Sequence, residues 1–308
     1  MIIDRIHGKM VCSTILLLLA AGIFAAVRIN SSSSAPELWT AAAAHAGIAV
    51  TVAVINRKFN IIRSRTLLPA VFFLLLSSIN REVYENAVDS LIAFSIALSS
   101  ALVLGAWQQR NATKQSFTVS VILTVASLFR PPVIMLLPVF WFWFFYLKSW
   151  NRRIIPASVL GFAVVYLFIF TWCVWRDEIS SFTAWLPRIS GAVHVNIPAF
   201  SVPEWIFYGT VLLLSVIAGF RLYLVNISES FRTVSSLKCL WTAAVVMFAI
   251  FIVQPGSRQY WSLIVYIPLS ILLAWCFAAV KSRVIKCVFL VLTVVIMAVV
   301  VYIRFSVR

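Results

Sequence analysis

The sequence is poor in charged residues, and above all in acidic ones. Only 11% of its 308 residues are charged, and nine acidic residues stand against 25 lysines and arginines. About a quarter of the residues in a soluble globular domain are charged. A soluble fold of this composition would lack the polar side chains needed to cover its surface. With 63% hydrophobic residues and a mean hydropathy of +1.02, the chain is predicted to use the lipid bilayer as its solvent.

Several functional signatures are also absent. There is no GxxxxGK[ST], HExxH or GxSxG pattern, which disfavours ATP hydrolysis and metalloprotease chemistry. The five cysteines lie in apolar stretches without a CxxC pair, so we interpret them as buried side chains and predict no metal site, disulfide or cofactor. The net charge of +16 is spread over short loops, so nucleic acid is not an expected partner.

The sequence does contain a long series of continuous apolar stretches. In hydrocarbon every backbone N–H and C=O needs an internal partner, and continuous runs favour helices over the strands of a barrel. We therefore predict an all-α, polytopic transmembrane bundle that forms a single domain over residues 1–308. Its spans, about eleven in number, lie near 10–27, 38–55, 66–79, 87–107, 117–129, 133–147, 154–175, 205–225, 239–253, 260–280 and 287–303.

The distribution of basic residues over alternate loops predicts the orientation. Seventeen of the 25 lysines and arginines, including every lysine, fall on the face that holds the N-terminus. The opposite face carries arginines and seven of the nine acidic residues. Because basic loops stay in the cytoplasm, we predict a bacterial inner-membrane protein with its N-terminus inside and its C-terminus outside. The only long loop, 176–204, is then outside, and the first segment is an uncleaved helix and not a signal peptide.

Two predicted spans, 66–79 and 117–129, are shorter than the ~20 residues that a full crossing needs. Three arrangements would accommodate them. The spans use flanking polar residues, they thin the bilayer, or neighbouring helices bury them. The last arrangement would indicate a cavity in the bundle.

Three acidic residues after the short span 66–79 are candidate catalytic groups. Glu82, Glu85 and Asp89 are spaced by three and four residues, so a helix would place them on one side. Like charges held close together raise a carboxyl pKa, as a general base or a cation site requires. The alternative is a solvated helix start, where acids interact favourably with the helix dipole.

Four arginines on the predicted outer side are candidates for binding phosphate or another anion, namely Arg81, Arg130, Arg188 and Arg258. A guanidinium can grip such groups with two parallel hydrogen bonds. Arg130 is the best placed, because Arg130-Pro131-Pro132 forms the whole connection between two spans and prolines end a helix. The alternative is an anchor that reaches the lipid headgroups from a helix end.

His45 is an ionisable residue within a predicted span, between alanines and Gly47. An ionisable group at membrane depth suggests a functional role. Alternatively, its small neighbours allow close helix approach, and a neutral imidazole forms a hydrogen bond with adjacent backbone.

Three stretches resemble an uncharacterised bacterial family of multi-span inner-membrane proteins. They are Ile55-Asn56-Arg57-Lys58, Ala126-Ser127-Leu128-Phe129-Arg130 with the helix that follows, and Tyr266-Ile267-Pro268-Leu269-Ser270-Ile271-Leu272-Leu273-Ala274. The resemblance implies this architecture and no particular activity.

A fainter resemblance is to multi-span glycosyltransferases and glycan polymerases that use polyprenyl-linked sugars at the outer leaflet. It rests on Leu128-Phe129-Arg130-Pro131, the apolar helix after it and the basic loop that follows. The chain departs from that pattern in its first outer loop, which is short and offers only Glu37 as an acidic residue.

Three functional hypotheses follow. The first is an envelope-glycan enzyme or assembly factor that acts on a lipid diphosphate at the outer face, with the four arginines holding phosphate and Glu82 or Glu85 as base. The second is a non-catalytic subunit that packs against other membrane proteins. The third is a transporter or flippase, although the sequence shows no internal repeat. Whether the protein is an enzyme stays open at this point.

Overall fold

The computed structural model describes residues 17–18, 20–22, 35–62, 66–78, 86–177, 202–224, 230–253 and 258–278. Within these ranges all regular structure is helical and no strand is present. The helices are α1 (Ala35–Phe59), α2 (Leu68–Ser77), α3 (Ala87–Leu104), α4 (Thr113–Phe129), a 3₁₀ helix (Pro131–Leu136), α5 (Leu137–Tyr146), α6 (Ile154–Trp175), α7 (Val202–Leu224), α8 (Phe231–Val253) and α9 (Arg258–Ala278).

Five of the described helices are long and apolar enough to cross a membrane, namely α1, α3, α6, α8 and α9. Of the other helices, α2 and α5 have ten residues each and α4 has 17. Helix α7 spans 23 residues, of which Leu212–Tyr223 form a shorter apolar stretch. Helix length and composition therefore make this chain a helical membrane protein.

One end of the bundle is formed where α1, α3 and α5 finish and α8 begins. The N–H of Gln108, after α3, donates to the C=O of Leu147, after α5, at 3.2 Å. Trp107 packs on Phe231 at the start of α8, with ring centroids 5.8 Å apart. We call this end the cationic end, and we define it by the exposed residues Arg57, Lys58, Arg110, Lys114, Lys148, Arg152 and Arg153 with the half-buried Arg232.

Helices α4 and α6 run parallel from this end in close contact. The hydroxyl of Ser116 donates to the C=O of Ile154 at 2.9 Å, and that of Ser120 donates to the C=O of Ser158 one turn further along. A Cβ placed on Gly161 would lie only 2.8 Å from the backbone oxygen of Phe117. Small residues allow this close approach, which holds helices together in lipid where no hydrophobic force acts between them.

The centre of the bundle is α9. Every side chain from Tyr260 to Phe277 is buried, and α9 packs against α1, α2, α3, α7 and α8. A helix that is hydrophobic all round belongs in such a position.

Helix α2 is also buried along its whole length, Leu68–Ser77. With ten residues it is about 15 Å long, so for the short span 66–79 the structure shows burial by neighbouring helices. We expected a cavity to accompany such burial. Ser100, Trp143, Met247 and Pro268 line a gap between the helices, but this gap is too narrow to hold a water molecule, so it is not that cavity.

Candidate anion-binding site

Asp89 is positioned by the start of α3. Asn86 is extended, with φ −124° and ψ 107°, and its side-chain oxygen accepts a hydrogen bond from the N–H of Val88 at 3.2 Å. This N-cap starts the helix at Ala87, so Asp89 lies in the first turn, where a carboxylate interacts favourably with the helix dipole. Its side chain is only 2% exposed.

Arg130 is positioned by the end of α4. It precedes a proline and is extended, with φ −135° and ψ 92°, because the proline ring disfavours helical backbone in the residue before it. Pro131 then opens the 3₁₀ helix, where its missing N–H costs nothing. The connection that we predicted to be Arg130-Pro131-Pro132 is therefore reduced to Arg130 alone.

Asp89 and Arg130 form a two-bond ion pair. Arg130 Nε donates to Asp89 Oδ1 at 2.8 Å, and Arg130 Nη2 donates to Asp89 Oδ2 at 3.1 Å. Hydrogen bonding to Asp89 raises the pKa of the Arg130 guanidinium above its ordinary value, although burial alone would lower it. The arginine therefore stays cationic, and it supplies the opposite charge to a carboxylate that is almost completely buried.

Tyr260, in the first turn of α9, holds the other side of the guanidinium. Arg130 Cζ lies 5.6 Å from the centroid of the Tyr260 ring, within the range of a cation–π interaction. The tyrosine is itself buried and packs on Trp261, with ring centroids 5.2 Å apart. The start of α3, the end of α4 and the start of α9 thus meet at the end of the bundle opposite the cationic end.

Arg130 retains hydrogen-bonding capacity in this position. A guanidinium has five N–H donors. Asp89 accepts from two of them, which leaves three without an acceptor among the described residues. The side chain is 38% exposed. A planar set of donors held by Asp89 and Tyr260 suits the oxygens of phosphate or carboxylate. Because the ion pair is neutral as a whole, such a site would recognise an anion by directional hydrogen bonds more than by net charge.

The other predicted site residues are only partly within the described structure. Arg81, Glu82, Glu85 and Arg188 lie outside the described residues. Arg258 begins α9, two residues before Tyr260, so its backbone lies at the same end as the ion pair.

The helical spacing that related Glu82 and Glu85 to Asp89 does not apply. Asn86 is extended and α3 begins only at Ala87, so a continuous helix does not reach Asp89 from Glu82. The physical reason is the N-cap, because the Asn86 side chain replaces the hydrogen bonds that a longer helix would make. The three carboxylates as catalytic groups stay a prediction.

His45 is completely buried between α1 and α2. Its Nδ1 lies 2.8 Å from the C=O of Ala41, and since a carbonyl can only accept, Nδ1 carries the proton. The ring lies 6.2 Å from that of Phe73 in α2. Through Nδ1, His45 therefore bonds the backbone of its own helix, α1, one turn earlier. Among the described residues no group of His, Cys, Asp and Glu has the arrangement of a metal site.

Sequence reasoning gave Asp89 and Arg130 separate roles and missed that they pair. The order of the predicted spans does indicate that the two residues lie close together. Asp89 opens one predicted span and Arg130 closes the next, so the antiparallel order places them at the same end. Two opposite charges close to hydrocarbon are stable mainly when they meet.

Comparisons with known proteins identify the family of this chain but give no activity. No curated protein and no solved structure matches the chain, and the resemblance to glycosyltransferases gains no support. A family model described as "Family of unknown function (DUF6427)" matches residues 7–307. The expected resemblance to an uncharacterised family is thereby confirmed, and the chain belongs to Family of unknown function DUF6427.

Proposed function

We propose that the protein holds a phosphate-bearing lipid, of the lipid-linked glycan class, at the end of the bundle where Asp89 and Arg130 pair. The observation that carries the proposal is a guanidinium fixed by Asp89 and Tyr260 that is still 38% exposed. Its three remaining donors would contact the phosphate.

The surroundings of Arg130 favour a lipid over a free phosphate ion. Phe129 and Val125 on α4 are 63% and 44% exposed, and Val125 lies one turn before Phe129. Together they form an apolar strip that starts beside the guanidinium. A hydrocarbon chain can lie along this strip while its phosphate meets Arg130 at headgroup depth. Glu82 or Glu85 would serve as the base if the bound lipid is also processed.

The proposal includes a topology of about eleven spans with the N-terminus inside, which places Arg130 on the outer side. The direction of α4 and α6 supports it, because both start at the cationic end, and basic ends stay in the cytoplasm. A reporter that is active only outside the cytoplasm, fused after Asp177, is expected to be active. The same reporter after Asn151 is expected to be inactive, and the reverse pattern would place Arg130 inside and end the proposal.

Arg130→Lys is expected to weaken phosphate-lipid binding at least tenfold. Lysine keeps the charge and can still pair with Asp89, but it has no planar set of further donors. The measurement is binding of a polyprenyl phosphate to the purified protein in nanodiscs of neutral lipid, compared at equal folded fraction. Because Asp89 neutralises the site, the affinity is expected to depend only weakly on salt.

Arg176→Gln is the matched control. Arg176 is an exposed arginine at the end of α6, which runs parallel to α4, and it lies over Trp172 with no described carboxylate partner. Its loss should change the affinity less than twofold. Equal effects of the two substitutions, or none from Arg130→Lys, would show that Arg130 is not a phosphate site.

The ion pair also favours a second candidate, a non-catalytic membrane subunit. Both oxygens of Asp89 accept hydrogen bonds from Arg130, so the only described residue among the three candidate bases already has a structural partner. A pair that only joins α3 to α4 needs no substrate. Stable co-purification with another membrane protein, together with normal cell growth of Arg130→Lys, would favour this candidate.

A further inference from the structure

Two short loops at the cationic end are joined by hydrogen bonds into one unit. They are residues 105–112, between α3 and α4, and 147–153, between α5 and α6. Besides the bond from Gln108 to Leu147, the Ser149 hydroxyl donates to the C=O of Ala106, and the Asn151 side chain donates to the C=O of Arg110 at 3.4 Å. We call this unit the loop pair.

The loop pair and the first turn of α4 carry five exposed cations and no acidic residue. The cations are Arg110, Lys114, Lys148, Arg152 and Arg153. None of them pairs with a carboxylate in the described part of the chain. The first turns of α4 and α6, which start side by side here, also lack an acidic residue, so their helix dipoles add to the positive potential.

The backbone of the loop pair is held in an unfavourable conformation. Gln108 and Lys148 have positive φ angles of 53° and 54°, which residues other than glycine rarely adopt. Lys148 is also fixed above Phe231, with Nζ 4.3 Å from the ring centroid. Such conformations persist only where the surroundings impose them, and they cluster at functional sites. The loop pair thus presents its cations from a backbone that its surroundings fix.

We infer that the loop pair binds the headgroup of an anionic phospholipid. Charge complementarity requires an anionic partner, and the neighbouring side chains indicate a lipid. Four exposed aromatic residues lie within six residues of Lys148 in the sequence, namely Phe142, Phe145, Tyr146 and Trp150. Aromatic rings next to cations mark the boundary between hydrocarbon and headgroups. The five cations therefore lie at the depth of the phosphates, where basic groups between helices bind acidic lipids.

The test is phosphatidylglycerol binding to the full-length protein in phosphatidylcholine nanodiscs, measured by lipid exchange and native mass spectrometry. The double variant Arg152→Gln/Arg153→Gln is expected to bind phosphatidylglycerol at least tenfold more weakly than the unaltered protein. The affinity of the unaltered protein should also fall steeply between low and high salt, because exposed charges carry it.

The matched control is Arg57→Gln/Lys58→Gln. These residues are also consecutive, exposed cations at the cationic end, but they belong to the end of α1 and not to the loop pair. The control should keep the affinity within twofold. Equal weakening in both variants would mean diffuse attraction to the bilayer surface, and equal binding of phosphatidylcholine would mean no selectivity. Either result overturns the inference.

Two further readouts distinguish a lipid site at the loop pair from a folding defect and from a protein-binding surface. Thermal unfolding in phosphatidylcholine should be the same for both double variants, because all four side chains are exposed. Arg152→Gln/Arg153→Gln should leave polyprenyl phosphate binding at Arg130 unchanged. Unaltered phosphatidylglycerol binding in that variant, with loss of a co-purified protein, would show that the loop pair binds a protein and would refute a lipid site.

Discussion

Arg130→Gln is expected to lower the free energy of unfolding by about 3 kcal/mol, at the low end of the range for breaking a buried ion pair. The substitution leaves the Asp89 carboxylate, 2% exposed, without its cation at the edge of the hydrocarbon. The low end applies because Arg130 itself is 38% exposed, so water already screens part of the interaction. The effect can be measured by denaturant titration of the purified protein in mild detergent.

In the double variant Asp89→Asn/Arg130→Gln, the second substitution is expected to restore part of the stability that Arg130→Gln removes. It should be more stable than Arg130→Gln alone, because no buried charge remains. Asp89→Asn by itself should cost about 1 kcal/mol, since the exposed arginine can turn to water. If the double variant is the least stable of the three, the ion pair is not what joins α3 to α4.

Gly161→Leu is the second substitution with a large expected effect, a loss of about 3 kcal/mol in unfolding free energy. Even a Cβ at Gly161 would lie 2.8 Å from the backbone oxygen of Phe117 and 3.1 Å from Ser120 Cβ. A backbone atom cannot rotate away as a side chain can. Helices α4 and α6 therefore have to separate, which breaks the hydrogen bonds of Ser116 and Ser120.

Gly209→Leu is the control for this prediction. Gly209 lies in α7, where nothing is within 4 Å of the position of its Cβ, so leucine should leave stability unchanged or raise it by its better helix propensity. Thermal unfolding of both variants in the same detergent gives the comparison. Similar melting temperatures for the two would show that α4 and α6 are not closely packed at Gly161.

The class of this protein could be predicted from composition, because lipid leaves helices as the solution for continuous apolar runs. The ends of the helices were also predictable where a residue imposes them, as Pro131 does on α4. How deeply each helix is buried within the bundle could not be predicted. Helices α6 and α9 are similarly apolar along their sequences. Yet the buried share of the 18-residue apolar stretch is 22% in α6 and 94% in α9. In lipid, hydropathy does not tell a face that touches a neighbour from one that touches acyl chains.

The candidate site was predictable in its residue types and not in its pairing. The two prolines after Arg130 indicate an abrupt end of the preceding helix, and Arg130 does lie between α4 and the 3₁₀ helix. Asp89 was grouped with Glu82 and Glu85 by spacing, but the Asn86 N-cap ends that relationship. Which charges meet depends on how helices distant in sequence pack, and the contact between Arg130 and Tyr260 shows this across 130 residues.

The position of α9 also has a consequence for how the protein is made. This helix fills the middle of the bundle, yet it spans residues 258–278 and leaves the ribosome after all the other described helices. Until then α2 and α3 lack the neighbour that α9 provides for them in the finished bundle. Assembly of the described bundle is thus completed from the inside, by the described helix that is translated last.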